Sequence, residues 1–328
     1  MSKYQKHRDK RNRIIVVLAA AILALCLISS LQEKYTADLG LPKLSADIST
    51  WLAERNINVE WLLGAGTDSD TEIGELRVHF IDVGQGKSIL IQAPESNVLI
   101  DTGESGHTDT LLSYLDHLKL SGIDILIATH PHADHIGGMD RVVRQYRVGD
   151  IIMPDLPDAL IPTTRTFTGL LEAIEEKDLS ITSAHPGKSY DLGNGATLQI
   201  LAPVDTYDDL NNISMTARLS YHQVSFLFTG DIEALAEKDI LASGRELSSN
   251  VLDVAHHGSN TSSTREFVEA VEPEIAVFSC GIDNSYGHPH REPIELMEQQ
   301  DVQIYRTDLD GTVVISTDGQ ELSVRISQ

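Results

Sequence analysis

From Leu76 onward the chain alternates short apolar runs with segments whose apolar residues recur at helical spacing, the marks of strands and helices packed on one another. Leu76-Arg77-Val78-His79-Phe80-Ile81-Asp82-Val83 alternates in strand fashion. Ser88–Ile91 follows the turn Gly84-Gln85-Gly86, and Asn97–Ile100 runs into Asp101-Thr102-Gly103. Leu111, Leu112, Leu115 and Leu118 predict a helix over Thr108–Leu120 with one face on a sheet. Ile123–Ala128 is nearly all apolar and reads as a strand buried on both faces. A helix over Met139–Val148, a strand at Ile151–Met153, a Pro- and Thr-rich loop over Asp155–Thr168 and a helix over Thr168–Lys177 complete the first half. The second half repeats the alternation without repeating the sequence. It predicts strands at Ala196–Ala202, Met215–Tyr221, Val224–Thr229, Val251–Ala255, Ile275–Ser279, Val302–Arg306, Thr312–Ser316 and Leu322–Ile326, with helices at Glu233–Ala242, Thr264–Val271 and Glu292–Gln300. Strands interleaved with helices in two halves predict two sheets packed together with helices outside, a four-layer αββα sandwich.

The first 74 residues carry another pattern. Ile14 to Leu31 is an uncharged stretch of 18 residues, just long enough to span a hydrocarbon core. The basic tail ahead of it, residues 1–13, is expected to stay in the cytoplasm. The expectation is therefore one transmembrane helix acting as a signal anchor at 14–31, a single pass through the cell membrane, and an extracytoplasmic remainder. Cleavage would instead secrete the protein, but Ile28-Ser29-Ser30 puts isoleucine where a cleavage site prefers a small residue. Residues 32–74 read as spacer and linker. Trp51, Leu52, Ile57, Trp61, Leu62 and Leu63 suit helical turns lying on the domain or on the membrane surface, and Gly64-Ala65-Gly66-Thr67-Asp68-Ser69-Asp70 is a polar tether. The folded domain is then 75–328.

The tail changes the meaning of the net charge of −24, because it holds six of the 25 basic residues and one of the 49 acids. Beyond it stand 19 basic residues against 48 acidic ones. Such a surface repels polyanions, and with aromatics at 5% the basic, aromatic-rich tract of a single-strand binder is missing. The two cysteines, Cys26 and Cys280, fall in the anchor and at a strand end, so no internal disulfide is expected.

Candidate chemistry begins where the apolar run Ile123–Ala128 stops. Thr129-His130-Pro131-His132-Ala133-Asp134-His135-Ile136-Gly137-Gly138 places three imidazoles and a carboxylate within six positions, a density that marks a metal site. Phe226-Leu227-Phe228-Thr229-Gly230-Asp231 repeats the logic of a strand ending in a ligand, and the two oxygens of Asp231 can each take one cation. Val254-Ala255-His256-His257-Gly258-Ser259 and Tyr286-Gly287-His288-Pro289-His290 add two imidazoles each. Seven of the 13 histidines thus lie in three short clusters.

These residues resemble the metallo-β-lactamase superfamily: His-x-His-x-Asp-His after a strand, Asp101 ending an earlier one, and Thr229-Gly230-Asp231 later. Asp82-Val83-Gly84-Gln85-Gly86, Asn211-Asn212-Ile213-Ser214, His256-His257-Gly258-Ser259 and Tyr286-Gly287-His288-Pro289-His290 are similar, more narrowly, to its ComEC-type competence branch, over about Leu76 to Ile326. The resemblance implies the metallo-β-lactamase sandwich and a site for two divalent ions, zinc or manganese. His130, His132 and His257 would hold one ion, Asp134, His135 and His288 the other, and Asp231 would bridge them. His256 competes with His257 by adjacency. Asp101 and Asn212 would stand behind the ligands or meet substrate, and His290 would be a ligand, a general acid or a loop histidine. The branch has an acidic residue after Gly84-Gln85-Gly86, whereas this chain has Lys87, which would meet a phosphate or be solvated.

Two such cations about 3.5 to 4 Å apart lower the pKa of a bridging water, so that hydroxide attacks near neutrality while the ions clamp the attacked oxygen. Asp134 could steer that hydroxide. A phosphodiester fits best, because a non-bridging phosphate oxygen can sit on both metals. A single apolar span argues that this chain is not itself a DNA channel. The expectation is an anchored, extracytoplasmic metal-dependent phosphodiesterase, with a nuclease related to DNA uptake in range although no basic binding surface is evident. The alternatives are a cell-envelope phosphoesterase of the phosphorylcholine esterase type, and a non-catalytic binding module on the same fold. No feature names a protein partner.

Overall fold

A strand buried on both faces sends alternate side chains into different cores, and residues 123–128 do so. Ile125 and Ile127 enter a cluster shared between two sheets, while Leu126 and Ala128 enter another under helices. The run 224–228 behaves in the same way, with Phe226 and Phe228 facing inward and Leu227 outward. The computed structural model describes residues 76–327. The expected basic tail, transmembrane anchor and spacer lie outside the described residues. No helix among the described residues is long and apolar enough to cross a membrane.

The first sheet contains β1 (Leu76–Phe80), β2 (Ile89–Gln92), β3 (Asn97–Ile100), β4 (Ile123–Ile127), β5 (Val148–Met153) and β6 (Ile181–Ser183). The second contains β7 (Ser189–Gly193), β8 (Ala196–Ala202), β9 (Thr216–Tyr221), β10 (Val224–Phe228), β11 (Val251–Asp253), β12 (Ile275–Phe278) and β13 (Gln303–Arg306). The chain then returns to the first sheet with β14 (Val313–Thr317) and β15 (Leu322–Ile326), giving the orders β15-β14-β1-β2-β3-β4-β5-β6 and β13-β12-β11-β10-β9-β8-β7. One core lies between the sheets. Outside the first sheet pack α1 (Thr108–His117), α3 (Met139–Gln145) and α4 (Arg165–Glu176), with the single turn α2 (Ala133–Ile136) between α1 and α3 in the chain. Outside the second pack α5 (Ala234–Ala242), α6 (Arg265–Val271) and α7 (Arg291–Gln299), followed in the chain by the turn α8 (Thr307–Asp310). The four layers are those expected from the alternation.

Both sheets change from antiparallel to parallel pairing partway across. Strands β3, β4, β5 and β6 run parallel, as do β10, β11, β12 and β13. Parallel neighbours deliver their carboxyl ends to one edge, where open α/β sheets bind ligands. Asp101 follows β3, His130 follows β4, Asp231 follows β10 and His257 follows β11.

Several boundaries differ from the sequence reading. Pairing of β1 stops at Phe80 because Asp82 turns the chain, its carboxylate accepting from the Gly84 amide at 3.0 Å. Helix α3 ends at Gln145 and Val148 already pairs, in parallel, with Ile123 of β4. Helix α4 starts at Arg165, three residues early, since the Thr164 hydroxyl accepts from the Phe167 amide and caps it. The half-exposed strands β6 and β7 carry too few apolar residues to announce themselves.

One close approach ties the β1–β2 loop to the metal-ligand loop. Gly86 has φ +127°, and a Cβ there would stand 2.3 Å from the Asp134 carbonyl oxygen. Gly86→Ala should therefore lower stability by about 2 kcal/mol or more, read as a lower urea midpoint for the metal-free protein. An unchanged midpoint would mean that the two loops separate freely.

Candidate metal centre

Asp101 anchors the first ligand segment from below. It is fully buried, with φ +56°. One carboxylate oxygen accepts from the Thr129 amide at 2.8 Å, and the other accepts from the Thr129 hydroxyl at 2.6 Å and faces His135 Nδ1 at 2.6 Å. A carboxylate behind an imidazole fixes its tautomer and aims the far nitrogen. That far nitrogen, His135 Nε2, lies 3.1 Å from Asp231 Oδ2. His130 and His132 precede α2 and bring Nε2 and Nδ1 within 2.8 Å of each other. Behind His130, the Ser214 hydroxyl lies 3.2 Å from Nδ1 and accepts from the Asp231 amide at 3.1 Å, locking the two sheets at this point.

His256 and His257 occupy consecutive left-handed conformations, φ +50° and +56°. Each departure costs about 1 kcal/mol or more for such residues and persists only where surroundings hold it. The kink sends the two rings apart. His257 is buried, its Nδ1 donating to the Ser279 carbonyl at 2.8 Å and its Nε2 lying 3.3 Å from Asp134 and 3.4 Å from Asp231. His256 turns instead to Glu233, at 3.3 Å. Of the adjacent pair it is His257 that enters the cluster, and it comes to Asp134 and His135 rather than to His130 and His132.

Asp134, His135, Asp231 and His257 each offer one ligand atom, all within 4.8 Å of one another. Oδ2 of Asp231 faces three rings, with His130 Nε2 at 3.9 Å in addition to His135 and His257. Asp231 Oδ1, His257 Nε2 and His288 Nδ1 are buried without hydrogen-bond partners. Orphaned buried polar atoms are rare and ask for an occupant. Imidazole nitrogens and carboxylate oxygens, with Cys280, the one cysteine among the described residues, engaged with Asp308, are a donor set that suits divalent transition metals.

Electrostatics agree with a site meant for cations. Burial, and then His135, hold His130 well below the ordinary imidazole range, so its lone pair is free. Burial likewise lowers His132. Burial also acts on His135 and His257, but Asp231 and its neighbouring carboxylates outweigh it, leaving His135 well raised and His257 at about 9. Burial would raise Asp134 and Asp231, yet His135 and His257 hold both well below the carboxylate range. Protons on two imidazoles thus stand where positive ions would balance two buried carboxylates.

The remaining expected residues are placed differently. His288 stands at the outer edge, its ring 6.1 Å from that of His257 and 5.6 Å from those of His256 and Tyr286, and burial with three neighbouring imidazoles lowers it to about 4. His290 Nδ1 accepts from the Asn260 amide at 3.0 Å, which ties two loops together. Asn212 lies behind the site rather than in it, its Oδ1 accepting from the Glu233 and Ala236 amides at the start of α5. The neighbour Asn211 donates through Nδ2 to Glu233 at 3.4 Å. Lys87 meets neither phosphate nor solvent: it is fully buried, and its ammonium donates to Asp253 at 2.8 Å. Sequence reasoning missed Ser214, Asn211 and Glu233. The first two sit in the Asn211-Asn212-Ile213-Ser214 motif, which was the available signal.

A family model described as the metallo-beta-lactamase superfamily matches residues 81–282. ComE operon protein 3 of Bacillus subtilis is 28% identical over 258 residues, 73% of this chain and 33% of its own length. Competence protein ComA of Neisseria gonorrhoeae is 29% identical over 242 residues, 73% of this chain and 32% of its own. The chain spans about a third of the length of these relatives, which are ComEC-type competence proteins. Among solved structures, CmlA, a diiron beta-hydroxylase from Streptomyces venezuelae, is similar with TM-score 0.51 and 14% identity, over 83% of this chain and 59% of that one, a likeness of fold.

The raised pKa of His257 has a sign that can be measured. Its folded value of about 9 exceeds the ordinary 6.5, so its stabilisation is full below about 6.5 and lost as pH rises through 9. In chelator, the unfolding temperature should fall by roughly 5 °C or more across that window, and His257→Gln should make the fall shallower. A profile that His257→Gln leaves unaltered would show that this ring carries no proton there.

Proposed function

The chain belongs to the metallo-beta-lactamase superfamily, and on that premise we propose that it is a membrane-anchored, extracytoplasmic hydrolase that uses two divalent metal ions, zinc or manganese, to cleave phosphodiesters. The observation that carries the reading is Asp231, whose Oδ2 faces imidazoles from two sheets while its buried Oδ1 has no partner. A carboxylate with one oxygen among imidazoles and the other buried and unpartnered is suited to two ions. His130 and His132 would serve one side of Asp231, and Asp134, His135 and His257 the other. His288, with its partnerless Nδ1, would complete the set from the outer edge.

Bound divalent ions supply Lewis acidity at such a site, making water acidic enough to attack near neutrality and stabilising the charge that develops on the ester. The chain's own part is orientation. Asp101 holds His135, Ser214 holds His130, and the Ser279 carbonyl holds His257, so the far nitrogens converge without reorganisation. Asp134, about a quarter exposed, is the carboxylate best placed to accept a proton from the attacking water. His288, neutral at physiological pH, stands where a leaving group could depart.

The relatives named competence proteins make a nucleic acid the first polymer to test. The 48 acidic residues beyond the tail favour a second reading, a small or polymer-borne envelope phosphoester, since long DNA would be repelled away from the metals. The anchor at 14–31 would hold the domain at the outer face of the membrane.

Metal analysis of the purified chain should find about two ions per molecule, and bis(p-nitrophenyl) phosphate should be hydrolysed with zinc or manganese and not in chelator. Asp231→Ala should release metal and lower turnover by about 1,000-fold or more. Unchanged turnover in Asp231→Ala would overturn the two-metal reading, and two ions without diesterase activity would move the proposal to another ester class.

A further inference from the structure

Lys87 hydrogen-bonds to all three ligand-bearing segments. Its side chain is 0% exposed, and its ammonium makes three hydrogen bonds: to Asp253 Oδ2 at 2.8 Å, to the Gly230 carbonyl at 3.0 Å and to the Val254 carbonyl at 3.3 Å. Gly230 immediately precedes Asp231, and Val254 precedes the His256-His257 kink. The Lys87 amide donates to the Asp134 carbonyl at 3.1 Å, and its own carbonyl accepts from Gly103, two residues beyond Asp101. The Gly230 carbonyl also accepts from the His256 amide at 3.2 Å, so one oxygen links Lys87 to two ligand segments.

Burying an ammonium and a carboxylate is a poor way to gain stability, since an apolar pair of similar volume does as well or better. A buried pair of this kind serves instead to select one arrangement of the chain around it. The arrangement here needs holding, because the non-glycine residues His256 and His257 are both left-handed. A like charge at either position would leave two buried charges of one sign in contact, so Lys87 and Asp253 call for opposite charges.

We propose that the Lys87–Asp253 ion pair is a positioning strut that sets the Gly230-Asp231 turn and the His256-His257 kink for metal binding, acting through their backbone carbonyls and touching no ligand side chain. The metal-affinity part of its test rests on the metal-dependent reading above; the amide-exchange part does not.

The test compares two full-length double variants with the wild type. In Lys87→Met/Asp253→Leu, which keeps the volume apolar, circular dichroism should show a folded protein. Amide exchange at Asp231 and His256 in the metal-free form should quicken about tenfold or more, and zinc affinity by competition with a chelator should fall about 10- to 100-fold. The reversed pair Lys87→Asp/Asp253→Lys should bring both back to within about threefold of wild type. Wild-type exchange and affinity in the folded apolar variant would overturn the strut. If the apolar variant does not fold, the reversed pair decides: folded with slow exchange it supports the strut, and folded with fast exchange it overturns it. Failure of both to fold also overturns it, because the pair would then be a requirement of the whole fold. A wild-type protein that binds no zinc removes the metal reading alone, and amide exchange still judges the strut.

Discussion

A buried carboxylate must find positive charge close by, and Asp231 finds it on both sides of the gap between two sheets. His130 and His135 come from the end of β4 in the first sheet, while Asp231 and His257 come from β10 and β11 in the second. The four groups therefore hold the carboxyl edges of the sheets at one spacing. Isolated in a medium of low polarity, Asp231 would protonate; surrounded by imidazoles it stays ionised and they take up protons. The hydrophobic layers bring the edges together, but this charge balance fixes how near they come. It also explains the orphaned oxygen of Asp231, since protons on rings to one side leave the other lone pairs unmet.

Behind this cluster lies a ring of uncharged or backbone partners. Thr129, Ser214 and the Ser279 carbonyl each hold the rear of one ligand, and Asp101 alone brings a charge. Neutral partners orient a ring without adding to the field at its front, so the net charge of the cleft is set by Asp134, Asp231 and Asp101 against whatever cations are present. Three carboxylates against two protonated imidazoles, His135 and His257, leave a net negative pocket. Such a pocket attracts divalent ions before it can tolerate an anionic ester, which makes metal loading a precondition of substrate binding in the proposed reaction.

The layers were legible because each central strand carries a continuous apolar run, and the clustered His130, His135, Asp231 and His257 stood out because they follow such runs. Periodicity reports burial, and burial here coincides with the site. The edge strands β6 and β7 escaped because one face of each is wet, and three to five residues of mixed character carry no period. Choosing between His256 and His257 was beyond sequence because two adjacent left-handed residues reverse the usual alternation, and nothing local marks them. Asn212 stands behind the ligands, one of the two places expected of it, but its partners, amides at the start of α5 more than 20 residues on, had no local mark in the sequence.

Lys87 shows where local reading must fail. A lysine beside two glycines in a loop has every mark of a solvated side chain, since lysine is among the residues least often buried. Its partner Asp253 lies 166 positions away, inside an apolar strand where an acid is equally out of place. Each residue alone looks like an error of burial; together they neutralise one another. Among the described ion pairs, this one joins the β1–β2 loop to the second sheet. The Lys87 charge is spent on carbonyl oxygens and one carboxylate and cannot reach a phosphate. In the proposed reaction the attraction of an anionic ester would then fall to the ions in the cleft, with the polypeptide's part mainly one of orientation.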